Sequence, residues 1–200
     1  MADLKLRKST TALIAMDVQN LQVGALKQNN PERANMPETL RTVIEAARKA
    51  EILVVHVVVR FREGYPEVHP RNLLIGRLSE TGLLKESGAD AQINSAITPL
   101  PNEPIVIKRR VSSFFDTDLA TILRARCIDT LLLTGISTSR VVLSTAVDAF
   151  DADYSIVIVE DCCADPEAEL HKVLAEKVLA QFGVMTDSRA VIAAMKNAAD

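Results

Sequence analysis

Short apolar runs alternate with amphipathic stretches along the whole chain. The runs TALIAMDV (11–18) and ILVVHVVVRF (52–61) are almost entirely apolar, which is typical of strands covered on both faces. Segment 37–51 instead spaces its apolar residues at i, i+3, i+4 and i+7, which predicts a helix with one buried stripe. The stripe consists of Leu40, Val43, Ile44 and Ala47.

The same two patterns continue to the end of the chain. Further strands are predicted at 105–108, 130–135, 154–161 and the start of 183–200. Further helices are predicted at 116–127, 139–152, 166–183 and the end of 183–200. Strands separated by helices indicate a parallel sheet with helices on both faces. We therefore predict an α/β protein: a three-layer α/β/α sandwich with a central, mostly parallel six-stranded sheet, in a single domain of residues 1–200.

One segment, 62–104, interrupts this alternation. It is rich in Gly, Pro, Asn and Glu, and its apolar residues show weak periodicity. A long irregular stretch inside a compact domain is more often a lid or a binding loop than a domain boundary. We therefore expect segment 62–104 to shape the walls of a ligand pocket.

Composition narrows the class of partner. Apolar residues make up 48% of the chain, charged residues make up 24%, and the formal net charge is −3. No block is rich in Lys and Arg, which argues against binding to nucleic acid or to an anionic membrane surface. No apolar run approaches the roughly 18 residues needed to span a bilayer. An odd number of cysteines, with Cys162 and Cys163 adjacent, argues against disulfides and favours a cytoplasmic location.

Polar residues follow the ends of the predicted strands, the edge at which open parallel sheets bind ligands. Asp17 ends the first apolar run, where loss of water raises a carboxyl pKa and a nearby Lys108 would lower it. An aspartate at this place also serves as a backbone cap, and a lone lysine is usually solvated. Together, at two strand ends, the two residues form a candidate proton-handling pair.

Three ordered motifs resemble the isochorismatase-like, or cysteine hydrolase, superfamily, which includes isochorismatases, nicotinamidases and N-carbamoylsarcosine amidohydrolase. They are ALIAMDVQN (12–20), VIKRRVSSFFDTDL (106–119) and TGISTSRVVLSTAVDA (134–149). In that family the first motif holds a catalytic aspartate and the second a catalytic lysine. The resemblance therefore implies that Asp17 and Lys108 are catalytic.

The third motif resembles the nucleophile turn of the family, commonly G-x-x-T-x-x-C-V-x-x-T-A. The resemblance implies that the turn at 135–141 supplies backbone N–H groups for an oxyanion and that a cis peptide joins Ile136 and Ser137. Counted from Gly135, however, the family's cysteine falls on Val141. A valine methyl cannot attack a carbonyl, so we predict a member that lacks the nucleophilic cysteine.

Within the family that the chain resembles, one known reaction needs no cysteine nucleophile. Isochorismatases in this superfamily also lack it and hydrolyse an enol (vinyl) ether. Asp17 would protonate the vinyl carbon as a general acid, Lys108 would support it, and water would trap the cation. One alternative is an amide or ester hydrolase that uses Ser139, Ser137 or an activated water. Another is a catalytically inactive homologue that binds the ligand without turning it over.

The remaining site predictions concern the substrate, which we expect to be a small molecule. The expected substrate contacts are Gln19, Arg60, Phe61, Tyr65, Ile136, Ser137, Ser139, Arg140 and Val141. The metal ligands typical of nicotinamidases are missing and His69 is a lone loop histidine, so we expect no metal and no cofactor. The resemblance also implies a homo-oligomer, either a dimer or a tetramer.

Overall fold

The predicted apolar runs form six parallel strands of one sheet in the computed structural model, which describes residues 4–200. The strands are β1 (Thr11–Met16), β2 (Leu53–Val59), β3 (Ile105–Lys108), β4 (Thr130–Ile136), β5 (Ser155–Ala164) and β6 (Val184–Thr186). Their order is β3-β2-β1-β4-β5-β6, and all neighbouring strands are parallel. The predicted α/β class and six-stranded sheet are confirmed. Residues 1–3 of the predicted 1–200 domain lie outside the described residues.

Seven α-helices of residues 4–200 connect or flank these strands. They are α1 (Asn20–Asn29), α2 (Met36–Lys49), α3 (Leu73–Thr81), α4 (Leu119–Ala125), α5 (Leu143–Asp151), α6 (Ala168–Val173) and α7 (Ser188–Lys196). The buried stripe of α2 packs with α7 on one face of the sheet, and α4 packs with α5 on the other. This arrangement gives the three layers that were predicted. Within the described range, no helix is both long and apolar enough to cross a membrane.

Strand β1 explains why the apolar runs are continuous rather than alternating. Leu13 and Ala15 belong to the core beneath α2 and α7, whereas Ala12, Ile14 and Met16 belong to the core beneath α4 and α5. Successive side chains of a strand point to opposite faces, so a central strand covered on both faces needs apolar residues at every position. Burying one large aliphatic side chain in this way stabilises the fold by roughly 1.5–3 kcal/mol.

Two helices that the sequence patterns did not predict, α1 and α3, lie near the functional edge of the sheet. Helix α1 has only two fully buried residues, Val23 and Leu26, so its apolar stripe is weak. Helix α3 lies inside segment 62–104 and has one fully buried residue, Ile75. It begins at the cap Asn72, whose side chain accepts a hydrogen bond from Ile75 N, and it ends at Gly82 with φ 73°.

Strand β5 is longer than its predicted range of 154–161. The charged pair Glu160–Asp161 suggested a strand end, but the chain continues in the sheet to Ala164. The pairing of β5 with β4 shifts register between Leu133 and Gly135, and this shift accommodates Glu160 and Asp161. Cys162 and Cys163 therefore lie within β5 rather than after it, and both are buried as expected for small apolar residues.

Candidate active site

A cavity of about 430 Å³ opens at the carboxyl edge of the sheet. The strand order reverses direction between β1 and β4, and such a switch point leaves a crevice above the strand ends. Asp17 follows β1, Lys108 ends β3, and Ile136 ends β4, and all three line the cavity. The topology thus brings together residues that are far apart in sequence.

Asp17 and Lys108 form a buried ion pair on the cavity wall. The distance from Lys108 Nζ to Asp17 Oδ2 is 2.8 Å, and the two side chains are only 3% and 8% exposed, respectively. Lys108 Nζ also donates a hydrogen bond to Arg110 O at 3.1 Å. The second carboxylate oxygen, Asp17 Oδ1, is buried and has no hydrogen-bond partner among residues 4–200. It is therefore an unsatisfied polar atom on the cavity side of the sheet edge.

The backbone and the burial of Asp17 both affect its chemistry. Its φ is 54°, a left-handed conformation that Asp and Asn tolerate better than most residues. Burial raises the pKa of the Asp17 carboxyl above its ordinary value of 3.8, and the charge and hydrogen bond of Lys108 offset only part of that rise. Asp17 therefore binds a proton more readily than a solvated aspartate does.

The turn after β4 supplies another wall of the cavity. Gly135 has φ 144°, and a Cβ atom there would lie 2.2 Å from Met16 O, so only glycine fits. The peptide bond between Ile136 and Ser137 is cis, which confirms the implied geometry. A π-helical turn, Thr138–Val142, then leads into α5. Ser137, Arg140 and Val141 line the cavity from this turn.

The turn offers fewer free N–H groups than the resemblance implied. Ser139 N donates to Asp165 Oδ2 at 2.8 Å, and Arg140 N donates to Ser137 O at 3.1 Å. These two amides stabilise the turn itself, so an oxyanion site on this turn would have to use other groups.

A partly buried hydrogen-bond chain anchors the turn from behind. Thr138 Oγ1 lies 2.8 Å from His171 Nδ1, and His171 Nε2 lies 2.8 Å from Glu160 Oε1, which also pairs with Arg33. The bond from His171, followed by the pairing with Arg33, lowers the pKa of Glu160 to about 2 against the opposing effect of burial. Sequence reasoning noted Glu160 only as a strand end and missed His171, because no motif links these distant positions.

Helix α3 covers the cavity, and we call it the lid helix. Leu74, Arg77 and Leu78 of this helix line the cavity, so segment 62–104 shapes the walls as expected. Arg109, the neighbour of Lys108, ties this segment to β3. Its Nε lies 2.6 Å from Glu67 Oε1, and its Nη2 lies 2.7 Å from Glu86 Oε1.

Six of the predicted site residues line the cavity together. They are Asp17, Lys108, Ile136, Ser137, Arg140 and Val141. Sequence reasoning missed the contributions of α1, of the lid helix and of the loop after β3. The missed residues include Leu21, Gln22, Ala25, Leu74, Arg77, Leu78, Arg110 and Val111. The two helices lacked a strong apolar stripe because one face of each borders an open cavity.

Gln19 and Arg60 do not line the cavity, which corrects their expected role as substrate contacts. The Gln19 side chain is fully buried, and its amide group bonds to Val59 N and O at 2.9 and 3.0 Å and to Ala91 O at 2.7 Å. Arg60 Nε also donates to Ala91 O, at 3.1 Å. Both side chains therefore hold segment 62–104 against the sheet.

Phe61, Tyr65 and Ser139 also lie away from the cavity wall. Phe61 is fully buried, and its ring centroid lies 5.6 Å from that of Tyr65. The Tyr65 hydroxyl donates to Leu83 O at 2.7 Å. These aromatic residues form a small core beneath the lid helix, and Ser139, whose backbone N–H donates to Asp165 Oδ2, is not among the residues that line the cavity. The expected aromatic walls and the Ser139 nucleophile are therefore corrected.

None of the cysteines lines the cavity in the described part of the chain. Cys127 is exposed, and burial raises the pKa of the Cys163 thiol to about 12 and raises that of Cys162 as well. Neither buried thiol is a nucleophile at neutral pH. From residue 4 to residue 200, no group of three or more His, Cys, Asp or Glu side chains is placed to hold a metal ion.

Comparison with known proteins identifies the family of this chain. The sequence profile of the isochorismatase domain matches residues 11–190. The chain is 35% identical over 169 residues to ureidoacrylate amidohydrolase RutB of Cronobacter sakazakii. This match covers 76% of this chain and 73% of that protein. It is also 27% identical over 141 residues to maleamate amidohydrolase of Pseudomonas putida. That match covers 70% of this chain and 65% of the amidohydrolase.

A solved structure shares the fold over nearly the whole chain. A cysteine hydrolase from Pseudomonas syringae pv. phaseolicola superposes with a TM-score of 0.85 at 24% identity, covering 98% of this chain and 99% of that one. Together with the domain match and the amidohydrolase relatives, the Asp17–Lys108 site leads to one assignment. The chain belongs to the isochorismatase family and is an isochorismatase-like hydrolase.

Proposed function

We propose that this hydrolase cleaves the C–O bond of a small enol (vinyl) ether, with Asp17 as general acid and Lys108 as its support. The observation that carries the proposal is Asp17 itself, a buried carboxyl with a raised pKa whose Oδ1 has no hydrogen-bond partner in the described part of the chain. The apolar side chains of Ile136 and Val141 lie on the same cavity wall, and no thiol does within residues 4–200. A site of this composition favours proton transfer over nucleophilic attack by the protein.

The reaction balances with water as the only co-substrate. Protonated Asp17 transfers its proton to the terminal vinyl carbon, and the electrons of the double bond form the new C–H bond. Lys108, 2.8 Å from Oδ2, stabilises the carboxylate that remains. Water adds to the oxocarbenium carbon and returns a proton to Asp17, and the hemiketal then breaks its C–O bond to give a ketone and an alcohol.

Amide hydrolysis is the second candidate, and the names of the two amidohydrolase relatives favour it. Ser137 lines the cavity, but within the described residues no side-chain base is hydrogen-bonded to its hydroxyl. Ser139 lies off the cavity wall. In this candidate the nucleophile is therefore water, and Asp17 acts as a base that accepts its proton.

The two candidates need opposite protonation states of Asp17, so a pH profile separates them. Release of pyruvate from isochorismate, at a rate that falls as the pH rises through the Asp17 pKa, supports C–O cleavage. Release of ammonia from ureidoacrylate or maleamate, at a rate that rises over the same range, supports amide hydrolysis and overturns the primary proposal.

The Asp17→Asn variant tests the carboxyl directly. The substitution should lower either activity by at least about 100-fold, because positioned general acids and bases contribute about 10²–10⁴-fold. The exposed Asp151, at the end of α5, offers a matched control in Asp151→Asn, which should retain full activity. Full activity of Asp17→Asn refutes both mechanisms. Substrate binding without either product supports an inactive ligand-binding homologue instead.

A further inference from the structure

Three arginines line the cavity, and each comes from a different segment. Arg77 belongs to the lid helix, Arg110 follows β3, and Arg140 lies in the turn after β4. Arg77 and Arg140 are exposed although they line the cavity, whereas Asp17 and Lys108 are buried. The two guanidinium groups therefore lie at the mouth, and the ion pair lies at the inner end.

These guanidinium groups have no carboxylate partner in the described part of the chain. Neither Arg77 nor Arg140 forms an ion pair there, and Arg110 donates to the backbone carbonyls of Arg109 and Glu67 at 2.6 and 3.0 Å. Among residues 4–200, Asp17 is the sole acidic residue on the cavity wall, and it is already paired with Lys108. The cavity wall thus carries uncompensated positive charge.

The rest of the wall is mostly aliphatic, and no aromatic ring belongs to it within residues 4–200. The principal aliphatic side chains are Leu21, Leu74, Leu78, Leu84, Val111 and Ile136. A cavity of this volume lies in the range of small-molecule sites, in which apolar walls bind the body of a ligand and a few polar groups orient it. Arginine is well suited to bind a carboxylate, because its guanidinium donates two parallel hydrogen bonds.

We propose that the substrate is an amphiphilic carboxylate whose nonpolar body packs on the aliphatic walls and whose carboxylate binds Arg77 and Arg140. The assignment rests on the proposed function only in placing the scissile bond near Asp17. With the carboxylate at the mouth, the body of the molecule extends inward and presents that bond to the ion pair. Arg77 and Arg140 are then the residues that select substrates by charge.

Isothermal titration calorimetry tests this selection without any turnover. Cyclohexanecarboxylate, cyclohexylmethanol and acetate contain no bond that either proposed reaction cleaves. Cyclohexanecarboxylate should bind at least about tenfold more tightly than the alcohol, which lacks the charge, and than acetate, which lacks the body. Equal affinity for the alcohol overturns the charge selection, and equal affinity for acetate overturns the apolar selection.

The Arg77→Gln/Arg140→Gln double variant identifies the residues. It should lose at least about tenfold in affinity for cyclohexanecarboxylate and leave the affinity for cyclohexylmethanol unchanged. Both arginines are exposed, so the variant should fold, and thermal unfolding checks this. Arg71, exposed in the same segment but absent from the cavity wall, provides the matched control Arg71→Gln. Unchanged carboxylate affinity in the double variant refutes the proposal, whereas failure of the turnover assays alone refutes only the proposed function.

Discussion

Replacing Lys108 by methionine should leave the buried carboxyl group of Asp17 without a counter-charge. Methionine has a similar length, so the change removes the ammonium with little loss of packing. The two side chains are 3% and 8% exposed with 2.8 Å between Nζ and Oδ2, so solvent cannot replace the lost partner. Breaking one half of such a pair costs about 3–5 kcal/mol. We therefore expect the free energy of unfolding at pH 7 to fall by about 3 kcal/mol or more.

The deficit should depend on pH in a defined direction. Burial raises the pKa of Asp17, and Lys108 counteracts that rise, so the pKa should climb further in Lys108→Met. A carboxyl whose pKa is higher in the folded than in the unfolded protein destabilises the fold above the folded pKa. This destabilisation disappears as the pH falls towards the unfolded value. The difference between Lys108→Met and the wild type should therefore shrink on acidification.

Adding Asp17→Asn to Lys108→Met should restore most of the lost stability. Asparagine tolerates the left-handed φ of 54° at this position and carries no charge. Catalysis should not return, because neither the proposed acid nor its proposed support is present. The double variant should therefore recover stability without recovering activity. If the ion pair were purely structural, activity would return together with stability.

Urea unfolding of the wild type, both single variants and the double variant, at pH 7 and pH 5, measures the coupling. Lys27, exposed on α1, supplies the control Lys27→Met, which should change stability by less than about 0.5 kcal/mol. A Lys108→Met variant within about 1 kcal/mol of the wild type at pH 7, or with the same deficit at both pH values, refutes the account of a desolvated pair.

Three further predictions concern the surrounding structure. Gly135→Ala should abolish folding or activity because its Cβ would lie 2.2 Å from a backbone oxygen, whereas Gly24→Ala, with nothing within 4 Å, should be tolerated in thermal unfolding. His171→Ala should lower kcat more than it raises KM, because Thr138 loses its 2.8 Å anchor, and His171→Gln should recover part of the loss. Glu103 accepts hydrogen bonds from Arg48 Nε at 2.7 Å and from Leu100 N at 2.9 Å, and these bonds lower its pKa against the opposing effect of burial. Glu103→Gln should therefore cost about 3 kcal/mol at pH 7 in urea unfolding. That cost should disappear as the pH falls from 4.5 towards 2, the range over which wild-type Glu103, whose pKa is lowered to about 2, loses its own stabilising charge.

The layers of the fold were predictable because the central strands are continuous apolar runs, whereas helix α2 spaces its apolar residues with the period of a helix. Every residue of β1 is buried, and the stripe of α2 falls on residues that face the sheet. Strand ends then located Asp17 and Lys108 correctly, since the carboxyl ends of parallel strands converge at one edge. The glycine at the close approach of β4 to β1 and the cis bond that follows it were both implied by a recognisable turn motif.

The cavity walls were less predictable, because the residues that form them lack a periodic apolar pattern. The lid helix has one buried residue, Ile75, and turns much of its apolar surface to the cavity. Conversely, Gln19 and Phe61 follow strand ends as ligand contacts do, yet their side chains serve the packing of segment 62–104. Proximity to a strand end identifies the right edge of the sheet but does not tell which way a side chain points.

The pairing of Arg109 with Glu67 and Glu86 gives the lid helix an attachment independent of the reacting groups. Segment 62–104 can therefore exchange one set of wall residues for another while the aspartate and lysine at the strand ends stay in register. Substitutions in the lid helix should then change which substrates bind without moving Asp17, the proposed acid.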